Sequence, residues 1–181
     1  DAVAGVSAAG NLQFIVIALT QILAVGSMAL IAQACGRKDH QDARWIFNQS
    51  LSLALLLGLL TLVLGFSLGP WYLRLLAADE GARMAGYSYL QGFIPAMALQ
   101  FALAAMGAAL RGTGVVAPTL IVQMLSVILN AILAPVLIAG WLTGHPLGVF
   151  GAGLASTLAV LCATMVMLLY FIRNERYVRF D

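Results

Sequence analysis

The residues of this chain placed for chemistry are amides and hydroxyls, not acids and bases. Thr119, Gln123, Ser126 and Asn130 follow one another at spacings of four, three and four, which puts them on one face of a helix. Gln13, Thr20 and Ser27 recur every seven residues, with Gln21 and Gln33 near them, and Tyr87 and Gln91 lie one turn apart ahead of Pro95 and Gln100. Such groups either hydrogen-bond neighbouring helices together or line a cavity that takes a ligand or ion, and for Thr119, Gln123 and Ser126 both readings stand. Asn130 is the stronger candidate for a cavity. Pro135, five residues on, lacks an amide hydrogen and frees the carbonyl of Ala131, and a free carbonyl beside an amide can coordinate a cation or hold a water. A plain packing kink is the other reading of Pro135. The methionines, among them Met97, Met106, Met124 and Met165, offer either core filling or an adaptable apolar wall.

What is missing narrows the chemistry further. No Asp or Glu occurs between Ala43 and Ala78 or between Gly81 and Asn174, so these segments offer no carboxylate for proton coupling. His40 and His145 fall in polar connecting segments, and Cys35 and Cys162 have neither metal-site nor disulfide spacing. Nothing resembles a nucleophile with its base, a phosphate loop or a metal cluster, which argues against an enzyme.

The elements that must carry these residues are membrane helices. The chain is 62% hydrophobic and 9% charged, with a mean hydropathy of +0.99, whereas soluble domains carry about a quarter charged residues. Between Met84 and Ile172 the one formal charge is Arg111. The net charge of +2 and its scattered distribution exclude a nucleic-acid-binding face. Uncharged runs longer than about 20 residues suit helices that cross a bilayer. Five fit, over 6–34, 45–73, 84–110, 118–140 and 148–172, and the length of the first two implies tilt or extension into the interface. The expected fold is an all-α polytopic membrane bundle. The start at Asp1, without a methionine or a signal-peptide pattern, reads as a piece of a longer protein.

Lys and Arg in alternate connecting segments number three, one and three on one side against two and none on the other. The positive-inside rule then places 36–44, 111–117 and the C-terminal end in the cytoplasm and the residue 1 end outside a plasma (inner) membrane. Trp71, Tyr72 and Trp141 fall at the expected outer ends, as interfacial aromatics should.

Several segments in this order resemble the N-terminal lobe of the multidrug and toxin extrusion (MATE) family. They are Ala29-Leu30-Ile31-Ala32-Gln33-Ala34-Cys35-Gly36, Leu110-Arg111-Gly112-Thr113-Gly114 followed by Pro118, Leu129-Asn130-Ala131-Ile132-Leu133-Ala134-Pro135, and Gly148-Val149-Phe150-Gly151-Ala152-Gly153-Leu154-Ala155-Ser156. The resemblance implies helices two to six of a six-helix lobe in a twelve-helix transporter, with the first helix and the C-terminal lobe as missing partners besides membrane lipid. It implies export of organic cations or other amphipathic compounds against inward protons or sodium ions, with no organic cofactor, by rocking of the lobes. It further implies a substrate or ion cavity lined by Asn130, Ser126, Gln123, Ser156 and Gln91, and a cytoplasmic interlobe surface at Gln33, Gly36, Arg111, Gly112 and Gly114. Pro95 and Pro135 would be hinges. Asn130 matches the family's Asn on its fifth helix and Ser156 its hydroxyl on the sixth, but Ala134 stands where an Asp is common. Any coupling carboxylate would then come from the missing first helix or the other lobe. Three alternatives remain: a lipid-linked oligosaccharide flippase of related architecture, expected to carry several basic residues in its cavity, a non-transporting scaffold whose polar stripes only join helices, and a channel, against which Pro95 and Pro135 argue for a moving carrier.

Overall fold

The described residues of the computed structural model are 2–76, 80–141 and 144–173. They form five helices: α1 (Ala2–Gly36), α2 (His40–Leu76), α3 (Glu80–Gly112), α4 (Ala117–Ala139) and α5 (Gly148–Arg173). All five are long and apolar enough to cross a membrane, and no strand occurs among the described residues. The chain is a multi-pass membrane protein. The 37 residues of α2 amount to about 55 Å of helix, well beyond a hydrocarbon core of roughly 30 Å, so its ends reach the interface or the helix tilts.

The helices run past the uncharged segments because polar residues cap and turn them. Between α1 and α2 the expected loop shrinks to three residues. Asp39 donates its amide to the Ala34 carbonyl at 3.0 Å and Lys38 donates to Cys35 at 2.9 Å, while Lys38 takes a φ of 59°. That is the Schellman ending, in which a left-handed residue closes the last turn. Asp39 then starts α2, its carboxylate accepting from the Asp42 amide at 2.9 Å, and Arg37 pairs with Asp42 at 2.5 Å. α3 ends in the same way, with Val115 donating to Leu110 at 2.9 Å and Gly114, at φ 84°, donating to Arg111 at 3.0 Å. The expected C-terminal basic cluster over 174–179 lies outside the described residues.

The centre of the bundle is α3. Of its most apolar window 72% is buried, against 11% to 28% for the other four helices. It packs on α1, α2 and α5, whereas α4 leans chiefly on α5 and meets α3 at one end. Small residues give α3 this place, since Ala96, Ala105, Gly107, Ala108 and Ala109 are all buried and let neighbouring backbones approach. Around Gly92 and Gly153 the approach is closest. A Cβ on Gly153 would fall 2.4 Å from the Tyr89 carbonyl oxygen, and one on Gly92 would fall 2.8 Å from the backbone of Phe150 and Leu154. Larger apolar residues fill the two ends. Leu73, Leu90, Ile94 and Phe101 form one cluster, and Ile31, Phe47, Met106, Met167 and Phe171 form the other. In the second cluster the rings of Phe47 and Phe171 stack with centroids 5.1 Å apart, joining α2 to α5.

Candidate ligand cavity and the interior polar groups

A cavity of about 350 Å³ opens between α1, α3 and α4. α1 contributes Thr20, Gln21, Ala24, Val25 and Met28, which recur at helical spacing on one face. α3 contributes Gln100, Leu103, Ala104 and Arg111, α4 contributes Thr119 and Gln123, and Met167 of α5 completes the wall. Two of the hydroxyls are engaged with carbonyls: Thr20 Oγ1 donates to Val16 at 2.6 Å, and Thr119 Oγ1 to Gly107 across to α3 at 3.5 Å. The amides of Gln21, Gln100 and Gln123 make no hydrogen bond among the described residues. They are therefore available to something in the cavity.

Arg111 joins the cavity wall to the end of α3. At the last turn of α3 it is expected as a cytoplasmic anchor or part of an interlobe surface, yet its side chain lies partly buried on the cavity wall, over Gly107. The signal in the sequence is Gly107, one turn before Arg111. A glycine there leaves room for the guanidinium to fold back along its own helix, because an added Cβ would sit 3.3 Å from Arg111 Nη1.

The four-residue stripe of α4 shares a face but not a neighbour. Its N-terminal half meets α3 and the cavity through Thr119 and Gln123, and its C-terminal half turns to α5. There Asn130 Nδ2 donates to Ser156 Oγ at 2.8 Å, and Ser156 Oγ donates to the Ala152 carbonyl at 3.3 Å. Ser126, Asn130 and Ser156 are half-buried, and none of the three lines the cavity. Gln91 is exposed on α3 and also lies apart from it. Of the residues expected at an interlobe surface, Gln33, Gly36 and Gly114 are exposed at the common end of α1 and α3. Gly112 is instead buried against α1, where a Cβ would meet the Met28 carbonyl at 2.9 Å.

Thr157, read from the sequence only as one of a run of small residues, occupies the most constrained polar position. Its hydroxyl donates to the Gly92 carbonyl at 2.5 Å and accepts from the Ala96 amide at 3.2 Å. Those two groups are an i, i+4 pair of α3, so the α5 hydroxyl spans the turn of α3 that holds Pro95. The signal was the pairing of a mid-span proline in one helix with a threonine among glycines in another.

The MatE family's sequence model matches residues 1–136. The chain is 30% identical over all 181 residues to the probable multidrug resistance protein YoeA of Bacillus subtilis (strain 168), of whose length it spans 39%. It is 26% identical over 164 residues, 89% of its length, to the multidrug export protein MepA of Staphylococcus aureus (strain MRSA252), of which it spans 35%. Among solved structures, the outward-facing conformation of a multidrug resistance MATE family transporter of the MOP superfamily superimposes with a TM-score of 0.91 at 23% identity, covering 99% of this chain and 39% of that one. The inward-facing conformation gives a TM-score of 0.90 at 23% identity over 98% of this chain and 40% of that one. Five membrane-spanning helices in this arrangement, matched by that family's model over most of their length, establish that the chain belongs to the MatE family.

Proposed function

We propose that this chain forms helices two to six of the N-terminal lobe of a twelve-helix secondary transporter, which exports amphipathic compounds, organic cations among them, in exchange for protons or sodium ions. The observation that carries the reading is the polar cavity between α1, α3 and α4, cut into an otherwise apolar bundle. A scaffold has no use for three amide side chains that face a cavity with no hydrogen-bond partner among the described residues, since polar groups within a membrane are costly unless they pair or meet water or ligand. Outward- and inward-facing transporters superimpose on the chain equally well, which supports a lobe that moves as one body during alternating access. The names of YoeA and MepA support multidrug export.

In this reading the end of the bundle at Gln33, Gly36 and Gly114 faces the cytoplasm of a plasma-membrane protein and meets the other lobe. Asn130, Ser126 and Ser156 form a second polar patch between α4 and α5, with Pro135 as the hinge beside it. The coupling carboxylate is supplied by the remainder of the transporter. A flippase is the weaker reading, because the cavity carries one basic side chain where a pyrophosphate-linked substrate calls for several.

The test is ethidium efflux from vesicles holding the full-length parent, under an imposed proton gradient and then a sodium gradient. Efflux accelerated by either gradient is expected and names the coupling ion. No acceleration by either, with folded protein in the membrane, overturns the export reading.

A further inference from the structure

A second cavity lies on the opposite side of α1. Gln21, Val25 and Met28 turn to the polar cavity, whereas Leu12, Ile15 and Leu19, on the other face of the helix, form one wall of a groove of about 280 Å³. Leu57, Leu60 and Leu64 of α2 form the facing wall, and Met97 and Phe101 of α3 form the floor. The groove occupies the first half of α1 and the second half of α2, which is one end of this antiparallel pair. At the other end the pair is closed, with Ile31 and Phe47 fully buried in one cluster with Ala109 of α3.

From Leu57, near the middle of α2, to Tyr72 the groove follows the helix for about 22 Å. It ends at the rings of Trp71 and Tyr72, residue types that favour the level of lipid head groups. Half of the hydrocarbon core is roughly 15 Å, so the groove runs from the bilayer midplane to the surface of one leaflet. Its walls are apolar apart from Thr61 and those two rings, and no charged side chain among the described residues lines it. Water finds almost nothing to bond there, and an empty cleft would forfeit dispersion contacts along its whole length. A membrane-spanning helix is a poor match, because it would run along both halves of α1 and α2 and is about 10–12 Å across. A volume of about 280 Å³ drawn out over such a length is instead the shape of a single hydrocarbon chain. We propose that the groove between α1 and α2 holds one acyl chain of a phospholipid of that leaflet, with the head group beside Trp71 and Tyr72. The groove recognises the chain through its length and width, and the charge of the head group contributes little. The site lies across α1 from the polar cavity and takes its lipid whether or not the cavity takes an exported compound.

The test counts bound lipid. Full-length protein is reconstituted in palmitoyl-oleoyl phosphatidylcholine, extracted in detergent and weighed by native mass spectrometry. Leu64→Trp, which fills the groove, is expected to lower the retention of one phosphatidylcholine about fivefold. Val63→Trp, on an exposed part of α2 outside the groove, should retain it like the unaltered protein. Dioctanoyl phosphatidylcholine, with chains too short to reach Leu57, should be retained as poorly by the unaltered protein as the longer lipid is by Leu64→Trp, while palmitoyl-oleoyl phosphatidylglycerol should be held as well as the phosphatidylcholine. If Leu64→Trp does not fold, Leu19→Trp on the facing wall takes its place. Equal retention by Leu64→Trp and Val63→Trp, or retention that follows the head group and not the chain length, overturns the proposal. A lowered thermal midpoint in Leu64→Trp with no change in bound lipid also overturns it, and assigns the groove to a protein segment outside this chain.

Discussion

α3 and α4 each carry a proline inside the helix, Pro95 near the middle of α3 and Pro135 in the last turns of α4, and read as sequence the two are equivalent hinges. In the folded chain they are opposites. Pro95 lies in the most buried helix, where Thr157 bridges Ala96 and Gly92 and the α5 backbone presses against Gly92. Pro135 is exposed on the least buried helix, and the Ala131 carbonyl it frees receives no side-chain donor among the described residues. A proline break costs a helix a hydrogen bond in either place, to the Gln91 carbonyl at Pro95 and to the Ala131 carbonyl at Pro135, but beside Pro95 the α5 hydroxyl also ties the next pair, Gly92 and Ala96, to a neighbouring helix. The turn at Pro95 is held by a neighbour's side chain and backbone, and the turn at Pro135 is held by no side-chain donor among the described residues. On the proposed reading α3 is the frame of the bundle, and α4 with its polar face is the part that responds to a ligand.

The largest break in that contrast comes from the frame. Gly153→Val would place a Cβ 2.4 Å from the Tyr89 carbonyl, a backbone atom that cannot step aside. Overpacking against backbone is expected to cost about 3 kcal/mol or more. The full-length protein should disappear from the monodisperse peak in detergent, whereas Pro135→Ala on α4 should leave that peak unchanged.

Thr157→Val comes next, since it keeps the shape of the side chain and removes both bonds. Removing a hydroxyl that bonds the Ala96 amide and the Gly92 carbonyl should cost about 1–2 kcal/mol, read as a lower thermal midpoint, and Thr157→Ser should restore most of it. The comparison sharpens in a double-mutant cycle. Pro95→Ala restores the amide that bonds the Gln91 carbonyl and removes the ring that bends this turn, so Ala96 and Gly92 can approach helical geometry and Thr157→Val should then cost measurably less. Equal costs in both backgrounds would mean that the hydroxyl only joins two helices.

On α4 the expected effect moves from folding to activity. Asn130→Ala removes the hydrogen bond to Ser156, an interhelical bond worth about 0.6 kcal/mol on average in membrane proteins. Membrane abundance should stay near normal while ethidium efflux per molecule falls. Lost abundance with unchanged efflux per molecule would make Asn130 a packing residue and erase the distinction between the two helices.

How much of this was legible beforehand follows the same division. The five spans were readable because uncharged length is a property of each segment alone, and the ends moved by a few residues, at the start of α2 because Asp39 caps it. The stripe Thr119, Gln123, Ser126 and Asn130 was readable as a face, because helical periodicity is local. Which neighbour each end of that face meets was not, since α4 crosses from α3 to α5 along its length. The contacts of Thr157 and the course of the Arg111 side chain were not readable for one reason: both depend on glycines, Gly92 and Gly107, that open space for a side chain to enter. A glycine in a sequence announces room without saying what fills it.

The smallest expected effect lies at the two turns that close α1 and α3. Both use the same pair of backbone hydrogen bonds and both need a left-handed residue, yet α3 supplies Gly114 at φ 84° and α1 supplies Lys38 at φ 59°. A side chain in that region is disfavoured sterically, while glycine carries more unfolded-state entropy, so Lys38→Gly should raise stability by only about 0.5 kcal/mol. The change also removes one positive charge from a segment expected to be cytoplasmic, so Lys38→Asn is the better matched control, since asparagine tolerates the left-handed region and lacks the charge as well. A thermal midpoint raised by glycine and raised less by asparagine would show that backbone strain sets the difference between the turns. A midpoint lowered equally by both would show that the Lys38 charge matters more than its φ, and that the α1 turn keeps its lysine for the membrane surface it faces.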